Sequence, residues 1–115
     1  MDRRRETGAN GEQRAVDYLT RQGYTIVERN WRTSFGELDI VAREKQELVL
    51  VEVRTLEAPH VGFPEESVGA HKQRQLAKLA TAYVQQAKHA GDWRVDVIAI
   101  DRDGIRHIKN AVSLW

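Results

Sequence analysis

Two apolar, β-branched runs separated by a short polar tetrad dominate the middle of this chain. Phe35 to Arg54 reads F-G-E-L-D-I-V-A-R-E-K-Q-E-L-V-L-V-E-V-R, with Glu44-Lys45-Gln46-Glu47 between the runs. Apolar runs of this length bounded by polar residues form strands, and two so closely spaced form a hairpin. With the loop centred between Lys45 and Gln46, Leu38 faces Val53, Ile40 faces Val51 and Ala42 faces Val49, which makes one face fully apolar. The other face pairs Val41 with Leu50, Asp39 with Glu52 and Glu37 with Arg54. A one-residue slip would invert every side chain, so the hydrophobic match selects this register. It also sets two carboxylates, Asp39 and Glu52, opposite each other with β-carbons roughly 5 Å apart, a repulsive arrangement unless positive charge lies between them. A divalent cation would fill that role.

The rest of the chain limits what can surround this hairpin. At 115 residues there is room for one domain, residues 1–115, with one core. No apolar run approaches the roughly 18 residues of a membrane span, and the charged start M-D-R-R-R-E-T-G lacks the apolar segment of a secretory signal. A cytoplasmic protein with no membrane partner is the expectation. The chain contains no cysteine, which excludes disulfides, thiolate zinc sites and a cysteine nucleophile. Metal chemistry must then use oxygen or imidazole ligands, and carboxylates favour Mg²⁺ or Mn²⁺. A net charge of +1 supplies no global attraction to nucleic acid, so local charge has to carry any such case.

The first helix is expected from Thr7 or Asn10 to Gln22, with Ala15, Val16 and Leu19 inward and Gly23 as its stop. Glu12 falls on the same inward stripe. Either it stays solvated in the first helical turn, where the dipole favours a carboxylate, or it belongs to a buried polar site. Tyr24 to Arg29 reads as a strand and Asn30 to Ser34 as a turn. Trp31, between Arg29 and Arg32, is expected in the core rather than stacked on a base. Thr55 to Phe63 reads as a loop in which His60 is solvated, the favoured reading, or else a ligand or proton-transfer group.

Pro64-Glu65-Glu66 marks the start of a second helix, expected to run to about Ala90 with Gly91 as the stop. Val68, Leu76, Leu79, Ala80, Tyr83 and Ala87 form its inward stripe, and Lys72 lies within that stripe. Its stem can lie along apolar surface while the ammonium reaches water, or the ammonium can reach the acids. Trp93 to Ile100 is a strand, interrupted by Asp96, which is either a third acid near the site or, the favoured reading, the partner of a nearby basic side chain. Asp103-Gly104 turns the chain into a last strand, Ile105 to Ile108, and the apolar tail Asn110 to Trp115 is expected to dock.

The order helix, strand, hairpin, helix, two strands implies an α/β domain with a mixed sheet. Around the open end of the hairpin it gathers Asp39, Glu52 and Arg54, with Glu12 and Lys72 within reach from the helices. Two carboxylates supply the partial coordination that Mg²⁺ takes, leaving room for water and phosphate oxygens. The reaction class this implies is metal-assisted phosphodiester hydrolysis, with a cation to stabilise the charge that develops.

Several motifs resemble a known family. These are G-E-x-x-A-x-x-Y-L from Gly11, R-N-W-R at Arg29 to Arg32, G-E-L-D-I-V-A at Gly36 to Ala42, V-E-V-R at Val51 to Arg54, and R-V-D-V at Arg94 to Val97. Together they span nearly the whole chain and resemble the YraN family of small bacterial proteins. The resemblance implies a restriction-endonuclease-like fold of the PD-(D/E)xK nucleases, a central mixed β-sheet flanked by helices, similar to archaeal Holliday-junction resolvases. It implies Asp39 and Glu52 as the metal-binding acids, Glu12 as the helix acid of the resolvase-like branch, and Arg54 at the motif's lysine position. It also implies a homodimer, since junction resolvases work as symmetric pairs. Leu38 stands where that motif has proline. Arginine stays protonated, so Arg54 can clamp phosphate but cannot shuttle a proton, and Lys72 can supply a displaced lysine.

Three functions compete. The first is a Mg²⁺- or Mn²⁺-dependent endonuclease acting on DNA, including branched or structured DNA, with Asp39, Glu52, Arg54 and Lys72 catalytic and Asp39, Glu52 and Glu12 on the metal. The second is a nucleic-acid-binding module that keeps the fold without cutting, its phosphate contacts drawn from Arg32, Arg54, Lys72, Arg74 and Lys78. The third is an interaction protein whose acids form structural ion pairs, such as Glu37 with Arg54 and Glu52 with Arg32.

Overall fold

The hairpin forms in the register its apolar residues select. A computed structural model describes residues 3–55 and 69–112, with side chains from Asn10 onward. In it β2 (Gly36–Glu44) and β3 (Glu47–Thr55) are antiparallel, with Ile40 opposite Val51, Val41 opposite Leu50 and Ala42 opposite Val49. Lys45 takes a left-handed conformation (φ 55°) to close the turn. β1 (Thr25–Thr33) adds to the outer side of β2. Beyond β3 come β4 (Trp93–Asp101), parallel to it, and β5 (Gly104–Ile108), which completes a mixed five-stranded sheet in the order β1-β2-β3-β4-β5. A parallel neighbour requires a crossover, and α2 (Ala70–Ala87) lies in the connection from β3 to β4.

Each face of the sheet is covered by one helix. Ala15 and Leu19 of α1 (Arg3–Arg21) bury against Ile40, Ala42, Val49, Val51, Ile98 and Ile100. Leu76, Leu79, Ala80 and Tyr83 of α2 bury against Leu38, Val41, Leu48, Leu50, Val95 and Val97 on the opposite face. Alternation along β3 and β4 thus feeds two cores at once, which explains why both strands read as nearly continuous apolar runs. The arrangement is α/β, with a mixed sheet between two helices, and is compatible with the restriction-endonuclease-like fold.

Several boundaries differ from the sequence expectation. α1 starts at Arg3, so Glu12 is mid-helix rather than in the first turn. β1 runs through Asn30 (φ 54°) to Thr33, and the turn falls on Ser34-Phe35. The extension is held by Trp31, which pairs with Leu38 and meets Tyr83 edge-on at 5.1 Å, so Trp31 is core. Gly69 is extended and caps α2, so the helix starts at Ala70. It ends at Lys88, which adopts the left-handed conformation expected of Gly91 and donates its N–H back to the last turn. Ala87 is exposed, not inward. The tail docks through Ala111 N–H, which donates to Val95 O at 2.8 Å, and through Val112, buried in the α2-side core. The expected helix start at Pro64-Glu65-Glu66, the stripe position Val68, His60 and residues 113–115 lie outside the described residues.

Candidate functional site

The β2–β3 ladder ends at the pair Ile40–Val51, one residue short of Asp39. Leu38 then packs with Val41 in the α2-side core, whereas strict alternation would place it with Ile40 and opposite Val53 on the α1 side. Asp39 therefore sits where β2 changes face and leaves β3. Its Oδ2 accepts the Val53 N–H at 2.8 Å, which ties the acid to the neighbouring strand. Glu52 is almost fully buried beside it. The two acids meet as the sequence register implied, though as a side-chain pair at the end of the ladder.

Burial raises both pKa values. Desolvation lifts Asp39, and the Val53 N–H opposes the shift. Desolvation followed by the negative charge of Asp39 pushes Glu52 up to about 7, against the opposing pull of Lys72 and Arg54. Two carboxylates this close titrate as a pair rather than as independent groups.

Lys72 reaches the acids. Its Nζ lies 3.3 Å from Glu52 Oε1, and its side chain remains about one-third exposed. Lys72 is the third residue of α2, where the helix dipole disfavours a cation. Glu52 offsets that cost. Arg54, two residues along β3 from Glu52, contributes a second positive charge.

Glu12 approaches from α1. Its Oε1 is buried without a hydrogen-bond partner, and its pKa is raised by desolvation and then by the charge of Asp39. α1 can come this close because residue 11 is glycine: a Cβ there would lie 2.2 Å from Thr55 Oγ1 at the end of β3. Among the described residues, no three His, Asp or Glu side chains converge as a ready-made metal cage. The donor set is the Asp39–Glu52 pair with the unpartnered Glu12 oxygen nearby, oxygen ligands that suit Mg²⁺ or Mn²⁺.

The remaining candidates divide. Arg32 bonds Glu37 Oε2 at 2.6 Å on an exposed edge, so Glu37 pairs with Arg32 rather than Arg54, and Glu52 pairs with Lys72 rather than Arg32. Arg74 and Lys78 lie together on the exposed side of α2, in a groove with Phe35, His71 and Gln75. Asp96 is fully buried on the α1 side. It accepts from Arg94 Nε at 3.0 Å, from the Asn110 N–H at 2.9 Å and from His107 Nε2 at 2.7 Å. With Nε2 directed at Asp96, the Nδ1 of His107 lies 3.1 Å from the Tyr18 hydroxyl. Asp96 is thus a structural acid, as its expected basic partner implied. His107 and Phe35 drew no functional notice in the sequence.

The fold and this site define a small α/β protein with a buried, lysine-capped acid pair where two central strands part. The chain belongs to the uncharacterised protein family UPF0102, whose family model matches residues 11–100. Similar UPF0102 proteins include one from Thermodesulfovibrio yellowstonii, 45% identical over 92% of this chain and 95% of its own length. Another, from Persephonella marina, is 44% identical over 93% of each chain. A third, from Syntrophotalea carbinolica, is 48% identical over 84% of this chain and 80% of its own. No described helix is long and apolar enough to cross a membrane.

Proposed function

We propose that this protein is a Mg²⁺- or Mn²⁺-dependent endonuclease that hydrolyses phosphodiester bonds in DNA, with branched or structured DNA as its substrate and a homodimer as its working form. The observation that carries the reading is the convergence of Asp39, Glu52 and Lys72 at one end of the sheet, with Lys72 Nζ 3.3 Å from Glu52. A buried acid pair with raised pKa values costs stability, and such costs concentrate at functional sites.

In this reading Asp39 and Glu52 hold the ion and Glu12 supports it from α1. When bound, such an ion supplies an activated water and offsets the charge that develops on the phosphoryl group. The protein's own residues supply the rest. The Val53 N–H orients Asp39, and Glu52, with its proton released to solvent, would serve as the second ligand. Lys72 and Arg54 turn their charge to the phosphate. Arg54 remains a cation throughout, so Lys72 is the side chain able to exchange a proton. Labelled duplex, single-stranded and four-way DNA, incubated with Mn²⁺, tests the proposal. Cleavage that disappears in Asp39→Ala and in Glu52→Ala supports it; cleavage of none of the three, or cleavage that survives both substitutions, removes it.

One observation favours a second reading, a nucleic-acid-binding module without catalysis. Lys72 and Arg54 already offset the charge of Glu52. That reading predicts binding that persists in chelator and weakens steeply with salt.

A further inference from the structure

Outside the acid pair, the surface holds an exposed aromatic ring fixed in position and bordered by cations. Phe35 is 41% exposed at the tip of the β1–β2 turn. The turn that carries it is tied down on both sides. Phe35 N–H donates to Thr33 Oγ1 at 3.1 Å, and Gln75 Nε2 of α2 donates to Phe35 O at 3.0 Å. Gly36 next to it lies so near α2 that a Cβ would stand 2.8 Å from Gln75 Nε2 and 3.0 Å from Leu79 Cδ1. Its φ of 151° also suits glycine. The ring is therefore presented outward by a turn that is hydrogen-bonded to α2 and packed closely on it.

Facing the ring, α2 contributes His71, Arg74, Gln75 and Lys78, which with Phe35 line a groove of about 440 Å³. The spacing puts all four on one helix face. None of the lining residues is acidic. Lys78 Nζ sits 5.5 Å from the centre of the Phe35 ring, near enough to hold a phosphate beside anything stacked on it. The same helix sends Lys72 to Glu52, and the chain runs from Phe35 to Asp39 in four residues of strand, roughly 13 Å. Groove and acid pair therefore lie along one path.

We propose that this groove binds an unpaired nucleotide of single-stranded DNA, its base stacked on Phe35 and its flanking phosphates held by Arg74 and Lys78. Aromatic platforms beside cationic grooves take single strands because every unpaired base offers a π-face. A duplex keeps its bases stacked on each other and cannot offer one without flipping it. Lys78 covers part of the ring in the free protein, an interaction weaker than base stacking and redirected to phosphate when the strand arrives. The proposal rests on the nucleic-acid reading of the neighbouring site and names its substrate: DNA with a single-stranded segment, as at flaps, gaps and opened branch points.

Anisotropy of a labelled oligothymidine 20-mer and of a mixed-sequence duplex, each titrated with the full chain in EDTA, tests the groove independently of metal and cleavage. The expected result is tighter binding of the single strand, weakened about tenfold by Phe35→Ala and restored by Phe35→Trp. The pair Arg74→Ala and Lys78→Ala should lower the slope of log affinity against log salt by about 1 to 1.5, roughly 0.7 for each phosphate that is no longer neutralised. Melting curves of the Phe35 variants show whether they fold. No binding of the single strand, or Phe35→Ala binding it within twofold of the parent while folded, overturns the proposal. Phe35-dependent binding without any DNA cleavage keeps the groove and removes the nuclease reading. Metal-dependent cleavage with a silent Phe35→Ala does the reverse.

Discussion

Lys72 Nζ lies 3.3 Å from Glu52 Oε1, so a lysine from helix α2 reaches the acid that Arg54 follows by two residues in the strand. The cation that neutralises the acid pair thus comes from another element, and the arginine at the motif position adds charge without a removable proton. Replacing Lys72 by alanine removes one of the two groups that lower the pKa of Glu52, so its carboxyl should titrate above about 7. Carbon-13 titration of the Glu52 carboxyl reads this directly. In a cleavage assay with Mn²⁺, the same variant should lose about 10²-fold or more, the usual cost of removing one charge-stabilising group. Lys72→Arg should restore the titration without restoring the rate.

The pH dependence of stability in metal-free protein follows from the same pair. Glu52 titrates near 4.5 when unfolded and about 7 when folded. Between those values the folded state binds the extra proton, so stability from this group is full below about 4.5 and is lost as pH rises through about 7. Glu52→Gln cannot lose a proton. Urea denaturation from pH 4 to 8 should show a flatter profile for the variant, which should be the more stable protein at pH 8 by on the order of a few kcal/mol.

Asp96 carries the opposite sign. Burial would raise its pKa, but His107, Arg94 and the Asn110 N–H together hold it below the usual carboxylate value. Its contribution is therefore present above about 4 and lost as pH falls through the lowered folded value. Asp96→Asn leaves Arg94, itself largely buried, without its one fully buried carboxylate partner, while Glu44 and Glu47 still hold it. The expected cost is about 1 to 3 kcal/mol by chemical denaturation, the usual loss for charge-assisted hydrogen bonds, with no effect on Mn²⁺ affinity.

How much of this could be read from the sequence depended on whether the ladder was regular. Ile40, Val41 and Ala42 meet their partners because the polar tetrad Glu44 to Glu47 sets the turn, and the turn sets the register. Leu38 went to the other face because regular pairing ends at Asp39, and no alternation pattern announces a strand that changes face. Lys72 was legible as a cation on an apolar stripe, and it proved to be an ion-pair partner. α2 ended on Lys88 rather than Gly91 because a left-handed lysine closed the last turn sooner. Phe35 had a signal that passed unread: an aromatic residue before a turn glycine, with basic residues spaced three and four apart on the helix that packs beneath it.

Gly11 sets the distance between α1 and the end of β3. An alanine there would place its Cβ 2.2 Å from Thr55 Oγ1, which forces the helix or the strand to move. Gly11→Ala should destabilise by about 1 to 3 kcal/mol, the usual cost of overpacking. Because Glu12 shifts with the helix, Mn²⁺ affinity should fall too. Adding Thr55→Ala should recover part of both, as calorimetry and thermal melting would register.

The central claim is that Asp39 and Glu52 form a divalent-cation site from which Lys72 can be displaced. Anomalous diffraction from a crystal soaked in Mn²⁺ measures this most directly. The account predicts a peak between the Asp39 and Glu52 carboxylates, with the Lys72 ammonium moved away from its 3.3 Å position beside Glu52. No peak at saturating Mn²⁺, with Lys72 still bonded to Glu52, would contradict it.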